Sequence, residues 1–229
     1  MGLDMYLNRF PRYKHYSVLD MEKVDSYLEW LDREKEHGAE TTKYTLKEWC
    51  GIDEKTLPPK EDLDHLISLA KPRTYAWDYE RKYERVKLSD GVAYWRKANA
   101  VHKWFVDNIQ DGVDDCNYHR EVTQQDLEAL RDACKEILEK CVLVKGKVQN
   151  GWKWDDKKNK EIPNYQDGML VANPDVCEKI LPSCDGFFFG GTGYDEWYMR
   201  DIKYTFETLN KVIEETDFEK QQIWYCSSW

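Results

Sequence analysis

The chain has 229 residues, of which 41% are hydrophobic and 34% charged, and its formal net charge is −10. This length and composition suit one globular domain with a buried core and a well-solvated surface. Acidic residues outnumber basic ones by 44 to 34, which argues against nonspecific binding of DNA or RNA, because phosphates need surplus cations. An acidic surface favours solubility first, and it also suits a small-ligand protein or one that docks on a basic partner.

Cysteine usage and the N-terminal sequence indicate the compartment. The seven cysteines are an odd number, widely scattered and without a C-x-x-C pair, which is typical of reduced thiols in a cytosol. The opening MGLDMYLNRF has no basic segment followed by a long apolar run, so we expect no secretory signal. No stretch approaches about 18 consecutive apolar residues, so we expect a cytoplasmic protein without a membrane-spanning helix.

Both ends of the chain have the pattern of strands. In residues 2–10, Leu3, Met5 and Leu7 alternate with more polar positions. The run QQIWYCSSW, which begins at Gln221, is rich in residues that favour strands. We expect the two terminal strands to pair in one sheet, which would hold chain ends that usually fray.

Between these strands, apolar residues mostly recur at helical spacing. We predict helices over residues 21–36, near Leu46, from Leu63 to Ala70, from Thr123 onward and over residues 195–215. Residues 142–170 are rich in Lys, Gly, Asn and Asp around two tryptophans, which indicates a β-hairpin insertion. The predicted fold class is α+β, with an antiparallel or mixed sheet that contains both termini and is packed by four to five helices. We expect a single domain over residues 1–229.

The stretch YWRKANAVHKWF, from Tyr94 to Phe105, predicts a further helix with a site along its edge. Its apolar stripe consists of Tyr94, Ala98, Val101, Phe105 and Ile109. One residue later on the same schedule come Trp95, Asn99 and His102. An indole can stack on a base, an amide can read hydrogen bonds, and an imidazole can donate a proton or bind an oxyanion. Alternatively, these side chains pack at a helix start and satisfy a loop. Arg96 and Lys97 beside them meet either an anionic ligand or solvent.

A glycine-rich turn lies in the segment GFFFGGTGYDEWY, from Gly186 to Tyr198. We predict a strand, a turn and a helix, an order that can direct backbone N–H groups at a phosphate. No Walker lysine follows the glycines, and Asp195 and Glu196 would repel an anion unless a cation intervenes. Asp195 also suits a plain helix cap. We expect Tyr194 and Asp195 to line one partly open pocket with the indole, amide and imidazole described above.

The segment GVDDCNYH, residues 112–119, has side chains of the types that bind metals. Cys116 and His119 are separated by two residues, but no second pair follows, which argues against structural zinc. Asp114 and Asp115 are weak candidates for a divalent cation, and the alternative is that they accept backbone N–H bonds in a loop. We therefore expect no bound metal and no cofactor, and a divalent cation is the alternative.

These blocks carry a resemblance to a known family. GLDMYL at the start, YWRKANAVHKWF with GVDDC, GFFFGGTGYDEWY and the closing SSW resemble small proteins encoded mainly in bacteriophages, prophages and mobile elements. The match covers both termini and residues 92–119 and 184–206, but not residues 40–80 or 142–170. Gly191 stands where the family has serine. The resemblance brings no agreed activity. It implies expression in the cytoplasm of an infected or lysogenic bacterium, where many accessory proteins block host defences.

Three classes of function fit these patterns. The first is a phage accessory protein for counter-defence, which sequesters a nucleotide-like ligand or docks on a host defence protein. The second is an enzyme for a nucleotide or phosphate ester, with His102 as general acid or base and Asp114, Asp115 or Asp195 holding a cation. The third is an assembly role, with aromatic residues at the interface of a homo-oligomer. The sequence has no G-x-S-x-G or H-E-x-x-H motif, which favours the first class, and no catalytic residue is assigned.

Overall fold

The computed structural model describes residues 2–37, 45–74, 84–116, 119–186 and 189–229. Within these ranges the chain forms eight strands and seven α-helices, more than the four to five helices expected. In chain order they are β1 (Asp4–Pro11), α1 (Val18–His37), α2 (Leu46–Cys50), α3 (Lys60–Leu69), β2 (Lys71–Thr74), β3 (Glu84–Lys87), β4 (Asp90–Arg96), α4 (Asn99–Asn108), β5 (Arg120–Val122), α5 (Gln124–Lys140), β6 (Leu143–Asp155), β7 (Lys160–Val171), α6 (Pro174–Ile180), α7 (Glu196–Glu215) and β8 (Gln221–Ser228). The fold class is α+β, as predicted.

The main sheet contains both terminal strands. It has four strands in the order β4-β1-β8-β5, so β8 lies directly beside β1, and the predicted pairing of the termini is confirmed. Side chains on β1 alternate between buried and half-buried positions, and Met5 and Leu7 are fully buried. Ile223 and Tyr225 of β8 are also fully buried. Both ends of the chain therefore contribute to the hydrophobic interior.

The chain divides into two compact units. The first comprises Met1–Leu7, Ala93–Thr216 and Tyr225–Trp229, and the second comprises Asn8–Val92 and Asp217–Trp224. Strands β1, β4 and β8 contribute residues to both units. The expectation of one domain over residues 1–229 stays a prediction.

In the second unit, the amphipathic helix α1 supplies most of the core. Apolar residues at helical spacing on α1 pack with side chains from β1, α3 and the loop after β3. The buried members are Phe10, Val18, Met21, Val24, Leu28, Leu66 and Leu88. A buried carboxylate on α3, that of Asp62, accepts hydrogen bonds from the hydroxyls of Tyr13 and Tyr16 and pairs with Lys14. Its donors all come from the loop that follows β1.

In the first unit, the long helices α5 and α7 pack against each other. Helix α5 begins as predicted, because Thr123 and Asp126 form a reciprocal capping box. Its buried face consists of Leu127, Leu130, Cys134 and Ile137. The apolar spacing in the sequence predicts Tyr198, Ile202, Thr205, Leu209 and Ile213 as the buried face of α7. The first four are buried, and Val212 is buried in place of Ile213.

The predicted insertion over residues 142–170 is a two-stranded antiparallel ribbon formed by β6 and β7. The pairing shifts between Gln149 and Trp152, where one extra residue on β6 forms a bulge. Exposed residues 156–159 form the turn at its tip. No helix in the described ranges is long and apolar enough to cross a membrane. All seven cysteines are free.

One local prediction in the region of the expected site is wrong. The helix begins at Asn99 and not at Tyr94, because residues 90–96 form the edge strand β4 of the main sheet. Trp95 therefore lies on a strand, and the helical line that joined it to Asn99 and His102 does not exist. The strand expected before the glycine-rich turn falls on the run of three phenylalanines, of which Phe187 and Phe188 lie outside the described residues, so it stays a prediction.

Candidate functional site

A cavity of about 920 Å³ lies in the first unit. Its walls come from four segments: the junction of β4 and α4, the bulge of β6, the glycine-rich loop before α7, and the first two turns of α7. The lining includes Arg96–Val101, Gln149–Trp152, Asp185, Gly186, Phe189–Gly193, Asp195, Trp197, Tyr198 and Arg200–Ile202. This volume is at the upper end of the range of about 300–1,000 Å³ that is usual for small-molecule sites. The cavity is therefore a candidate ligand site.

The cavity contains three cationic side chains, from Arg96, Lys97 and Arg200. The guanidinium of Arg96 is 57% exposed and lies 3.4 Å from the Asp4 carboxylate, which is a long contact. Neither Lys97 nor Arg200 has a carboxylate oxygen within 4.0 Å in the part of the chain that the structure describes. Arg96 is hydrogen-bonded to Tyr94 and Asp4 but remains largely exposed, whereas Lys97 and Arg200 have no ion-pair partner among the described residues, so these charges can pair with an anionic ligand.

The turn between β4 and α4 sets the position of two of these cations. Lys97 has a positive φ of 61°, which breaks the strand and lets the helix begin two residues later. Gly190 packs against this turn, and a Cβ there would lie 3.3 Å from both the Cβ and the carbonyl oxygen of Lys97. Gly190 also has a φ of 94°, a conformation that other residues rarely adopt. The glycine-rich loop can therefore approach the cations closely only with glycine at position 190.

Helix α4 presents its N-terminus to the cavity. The residue at its N-cap, Ala98, has no side chain that can accept a hydrogen bond from the first turn. Ala100 and Val101 in that first turn line the cavity. Uncapped N–H groups at a helix start carry partial positive charge and attract anions. This partial charge adds to that of Arg96 and Lys97 at the same wall.

Two exposed indoles accompany the cations. Trp152 lies on the bulge of β6 and is 62% exposed, and Trp197 lies in the first turn of α7 and is 48% exposed. The guanidinium of Arg200 stands over the ring of Trp197, 4.3 Å from its centroid. A planar ligand that stacks on an indole here would also meet a cation.

Three carboxylates face the same cavity. Asp195 caps α7 by accepting hydrogen bonds from the N–H groups of Trp197 and Tyr198, as predicted for this residue. Asp185 accepts one from the N–H of Gly186. The side chain of Asp201 accepts no hydrogen bond from the described residues. Burial raises its pKa to about 6, although the charge of Arg200 acts to lower it. Burial also raises the pKa of Asp195.

Asn99 lines the cavity, but its amide holds the glycine-rich loop. The side-chain nitrogen donates to the carbonyl oxygens of Phe189 (3.3 Å) and Gly191 (2.8 Å), and the side-chain oxygen accepts from the N–H of Cys184 at 3.3 Å. Asn99 is only 4% exposed. Its amide therefore positions the loop and leaves little hydrogen-bonding capacity for a ligand.

Trp95 does not line the cavity. It is 3% exposed, its indole nitrogen donates to the Thr205 hydroxyl at 2.9 Å, and its ring packs near those of Phe105 and Tyr204. Alternation along β4 explains this placement, because Ala93 and Trp95 point inward while Tyr94 and Arg96 are exposed.

His102 is also a core residue and does not line the cavity. It is 1% exposed, with Nε2 3.1 Å from the Asp114 carboxylate and Nδ1 2.7 Å from the Tyr225 hydroxyl. A carboxylate can only accept, so Nε2 donates to Asp114, and Nδ1 is hydrogen-bonded to the Tyr225 hydroxyl. Burial raises the pKa of Tyr225 and keeps its hydroxyl protonated. Both ring nitrogens thus have protein partners.

The remaining predicted residues brace loops. The hydroxyl of Tyr194 accepts from the N–H of Ser183, and its ring packs edge-on against Tyr198, outside the cavity. Asp114 also accepts from the indole nitrogen of Trp229, and Asp115 accepts from Arg120. In the described ranges, no three His, Cys, Asp or Glu side chains group closely enough to hold a metal ion. A divalent cation stays an untested alternative.

The structure thus brings together Arg96, Asn99 and Asp195 from the predicted site and leaves out Trp95, His102 and Tyr194. Lys97, which the sequence offered beside Arg96 as a contact for an anion, also lines the cavity. Sequence reasoning missed Trp152, Trp197, Arg200 and Asp201. Three of these could have been grouped from the sequence, because Trp197, Arg200 and Asp201 have the spacing i, i+3, i+4 and share one face of α7. Comparison with protein families, curated proteins and solved structures found no match to this chain.

Proposed function

We propose that this protein acts by binding, and that it sequesters an anionic, nucleotide-like ligand in the cavity of the first unit. The observation that carries the proposal is that three cations and two exposed indoles line the same cavity. The cations are Arg96, Lys97 and Arg200, and the indoles are Trp152 and Trp197. Following the family resemblance, we propose further that it serves as a phage accessory protein for counter-defence in the bacterial cytoplasm.

The chemistry of the cavity selects this ligand class. A nucleotide combines an anionic phosphate with a planar base, and the cavity offers cations for the first and half-exposed indoles for the second. Stacking of a base on an aromatic side chain contributes about 1–3 kcal/mol, and a hydrogen bond to a charged group about 1.5–3 kcal/mol. The net charge of −10 still argues against a long nucleic acid, so a small nucleotide fits better.

The surroundings of His102 support binding in preference to catalysis. A general acid or base must reach the substrate within hydrogen-bond distance. His102 is 1% exposed and lies outside the cavity lining, and Asp114 and Tyr225 occupy its two ring nitrogens. The enzyme hypothesis would require these bonds to break. Turnover of a nucleotide that is lost in a folded His102→Ala variant would restore it.

A second candidate function is docking on a host protein, and the β6–β7 ribbon favours it. Trp152, Trp154 and Tyr165 are each about 60% exposed. Trp152 and Trp154 oppose Pro163 and Glu161, and Tyr165 is two residues from Pro163, so all three aromatic rings share one face of the ribbon. Exposed aromatic residues of this kind are enriched in protein interfaces.

Native mass spectrometry of protein purified from a bacterial host tests the sequestration proposal. We expect a bound nucleotide that is released on denaturation and whose affinity falls about tenfold or more in Arg200→Ala, from the loss of a charged contact. Lys203→Ala is the matched control, because it removes the same charge from the same helix outside the cavity. Equal binding by both variants, or no nucleotide at all, would contradict the proposal. Capture of one host protein by Arg200→Ala but not by Trp154→Ala would instead support docking.

A further inference from the structure

We infer that Asp201 selects a guanine base in this cavity, by accepting two hydrogen bonds from the edge of the base. The inference rests on the proposed nucleotide-binding function and adds the identity of the base. It assigns a role to a carboxylate that the fold itself does not use.

Among the three carboxylates of the cavity, Asp201 is the one without a structural task in the described residues. Asp195 caps α7, and Asp185 holds the N–H of Gly186. The carboxylate of Asp201 lines the cavity with no hydrogen-bond donor from the described residues, although burial disfavours its charged form. A half-buried carboxylate without donors is costly, and a ligand that donates two hydrogen bonds removes that cost.

The positions of its neighbours place a base at this carboxylate. Trp197, Arg200 and Asp201 lie on one face of α7, and side chains four residues apart on a helix are neighbours. Arg200 stands over the Trp197 ring, so this end of the cavity already holds one planar cation against an indole. A base that stacks beside this pair would have its edge within reach of the Asp201 carboxylate. The cations at Arg96 and Lys97, on the β4–α4 wall, are then left for the phosphate.

The pattern of donors on the bases decides between them. A carboxylate has two oxygens that accept in parallel and no donor. Guanine presents two adjacent donors, N1–H and the N2 amino group, on its Watson–Crick edge. Adenine, cytosine and uracil each place an acceptor beside their donor, which would face a carboxylate oxygen and repel it. A carboxylate therefore favours guanine among the four common bases.

The two asparagine side chains of the cavity do not match this pattern. The amide of Asn99 is occupied by Phe189, Gly191 and Cys184. The side chain of Asn150 donates to Gln166 on the neighbouring strand. Each of these amides also mixes one donor type with one acceptor type, and neither carries charge. Asp201 is thus the group whose chemistry matches two donors.

Equilibrium binding of the full-length chain to GMP, IMP, AMP, CMP, UMP and XMP tests the inference, with indole fluorescence as the signal. We expect GMP to bind about tenfold or more tightly than the other five. IMP keeps N1–H but lacks the amino group, so it isolates the second hydrogen bond. In Asp201→Asn, the preference for GMP over IMP should disappear, and XMP should gain affinity, because an amide offers one donor and one acceptor to its N1–H and O2.

Asp185→Asn is the matched variant, since it removes the same charge from the same cavity. It should shift the affinities for all six nucleotides together and leave the ratio of GMP to IMP intact. Circular dichroism should show both variants folded, because an isosteric amide at position 201 breaks no hydrogen bond in the described residues. Equal binding of GMP and IMP, or an unchanged ratio in Asp201→Asn, would overturn the guanine inference. If Arg200→Ala still weakened the binding of all six nucleotides in that case, the proposal of nucleotide binding would hold without the preference for guanine. Binding of none of them would overturn both.

Discussion

Two aspartates in different units of this protein have the same side chain and opposite surroundings. Asp62 in the second unit accepts hydrogen bonds from Tyr13 and Tyr16 and pairs with Lys14, and these contacts, the lysine first, lower its pKa to about 2. Asp201 in the first unit has no such donors in the described residues, and burial raises its pKa to about 6. Burial of a carboxylate without donors favours its neutral form, whereas donors favour the charged form.

The difference separates polar groups that the fold uses from those whose hydrogen-bonding capacity is unfilled in the described residues. Asp62, Asn99 and His102 each have a full set of protein partners, which is the normal condition of buried polar groups. Arg200 and Asp201 lack an ion pair or a side-chain hydrogen bond in the described residues and face a cavity. Unfilled hydrogen-bonding capacity at a cavity is therefore the reason to treat Arg200 and Asp201 as part of the candidate site.

The largest expected effect on stability concerns the buried indole. Trp95→Ala should reduce the free energy of unfolding by about 3–5 kcal/mol, because it leaves a cavity in the core and removes the partner of the Thr205 hydroxyl. Trp154→Ala is the control and should change the stability by less than about 0.5 kcal/mol, because its side chain is 58% exposed. Urea unfolding measures both. Equal stability of the two variants would show that Trp95 is not a core residue.

The second prediction concerns Asp62. Asp62→Asn should lower Tm at pH 7 by several degrees, because an amide group would then face the ammonium of Lys14 and the tyrosine hydroxyls. The folded pKa of Asp62 is below its unfolded value, so its contribution is present above about pH 4 and is lost as the pH falls to about 2. Tm should therefore differ between the variant and the unaltered protein at pH 7 and converge near pH 2. A constant difference would contradict the assignment.

Much of the fold could be predicted from the sequence, because its elements have strong local signals. The capping box at Thr123, the apolar stripes of α5 and α7 and the alternation in β1 each depend on neighbouring residues. The start of α4 could not be predicted in the same way. Residues 92–95 are continuously apolar or aromatic, which does not distinguish a helix from a strand, and pairing with β1 in the main sheet selects the strand. Tertiary pairing of that kind is not visible within a short window.

The site was harder to predict than the fold for a related reason. Asn99 and Asp195 were identified by residue type, and both do lie at the cavity, but their hydrogen bonds serve the loop and the helix start. Whether a polar group is used by the protein depends on segments far away in the chain, such as Cys184 for Asn99. Trp152 comes from the hairpin insertion, and no sequence pattern links it to α7.

A third prediction tests whether the exposed indole of Trp197 contributes to ligand binding and not to the stability of the fold. Trp197→Ala should leave the free energy of unfolding nearly unchanged, because the side chain is 48% exposed. It should weaken binding of the nucleotide by about tenfold to a hundredfold, since stacking contributes about 1–3 kcal/mol. Trp197→Phe should recover part of the affinity by keeping a ring for stacking. Full affinity in Trp197→Ala would place the base elsewhere in the cavity.

The smallest expected effect is a change in the pH dependence of stability at Asp201. Its folded pKa of about 6 is above the unfolded value of about 4, so the folded protein keeps a proton that the unfolded chain releases. Stability from this group is therefore present below about pH 4 and is lost as the pH rises to about 6, the opposite of Asp62. In the ligand-free protein, Asp201→Asn should raise Tm slightly at pH 7 and leave it unchanged near pH 4. Scanning fluorimetry across this range measures the difference. A variant that is less stable than the unaltered protein at pH 7 would mean that donors from the protein satisfy the Asp201 carboxylate, and the contrast with Asp62 would then fail.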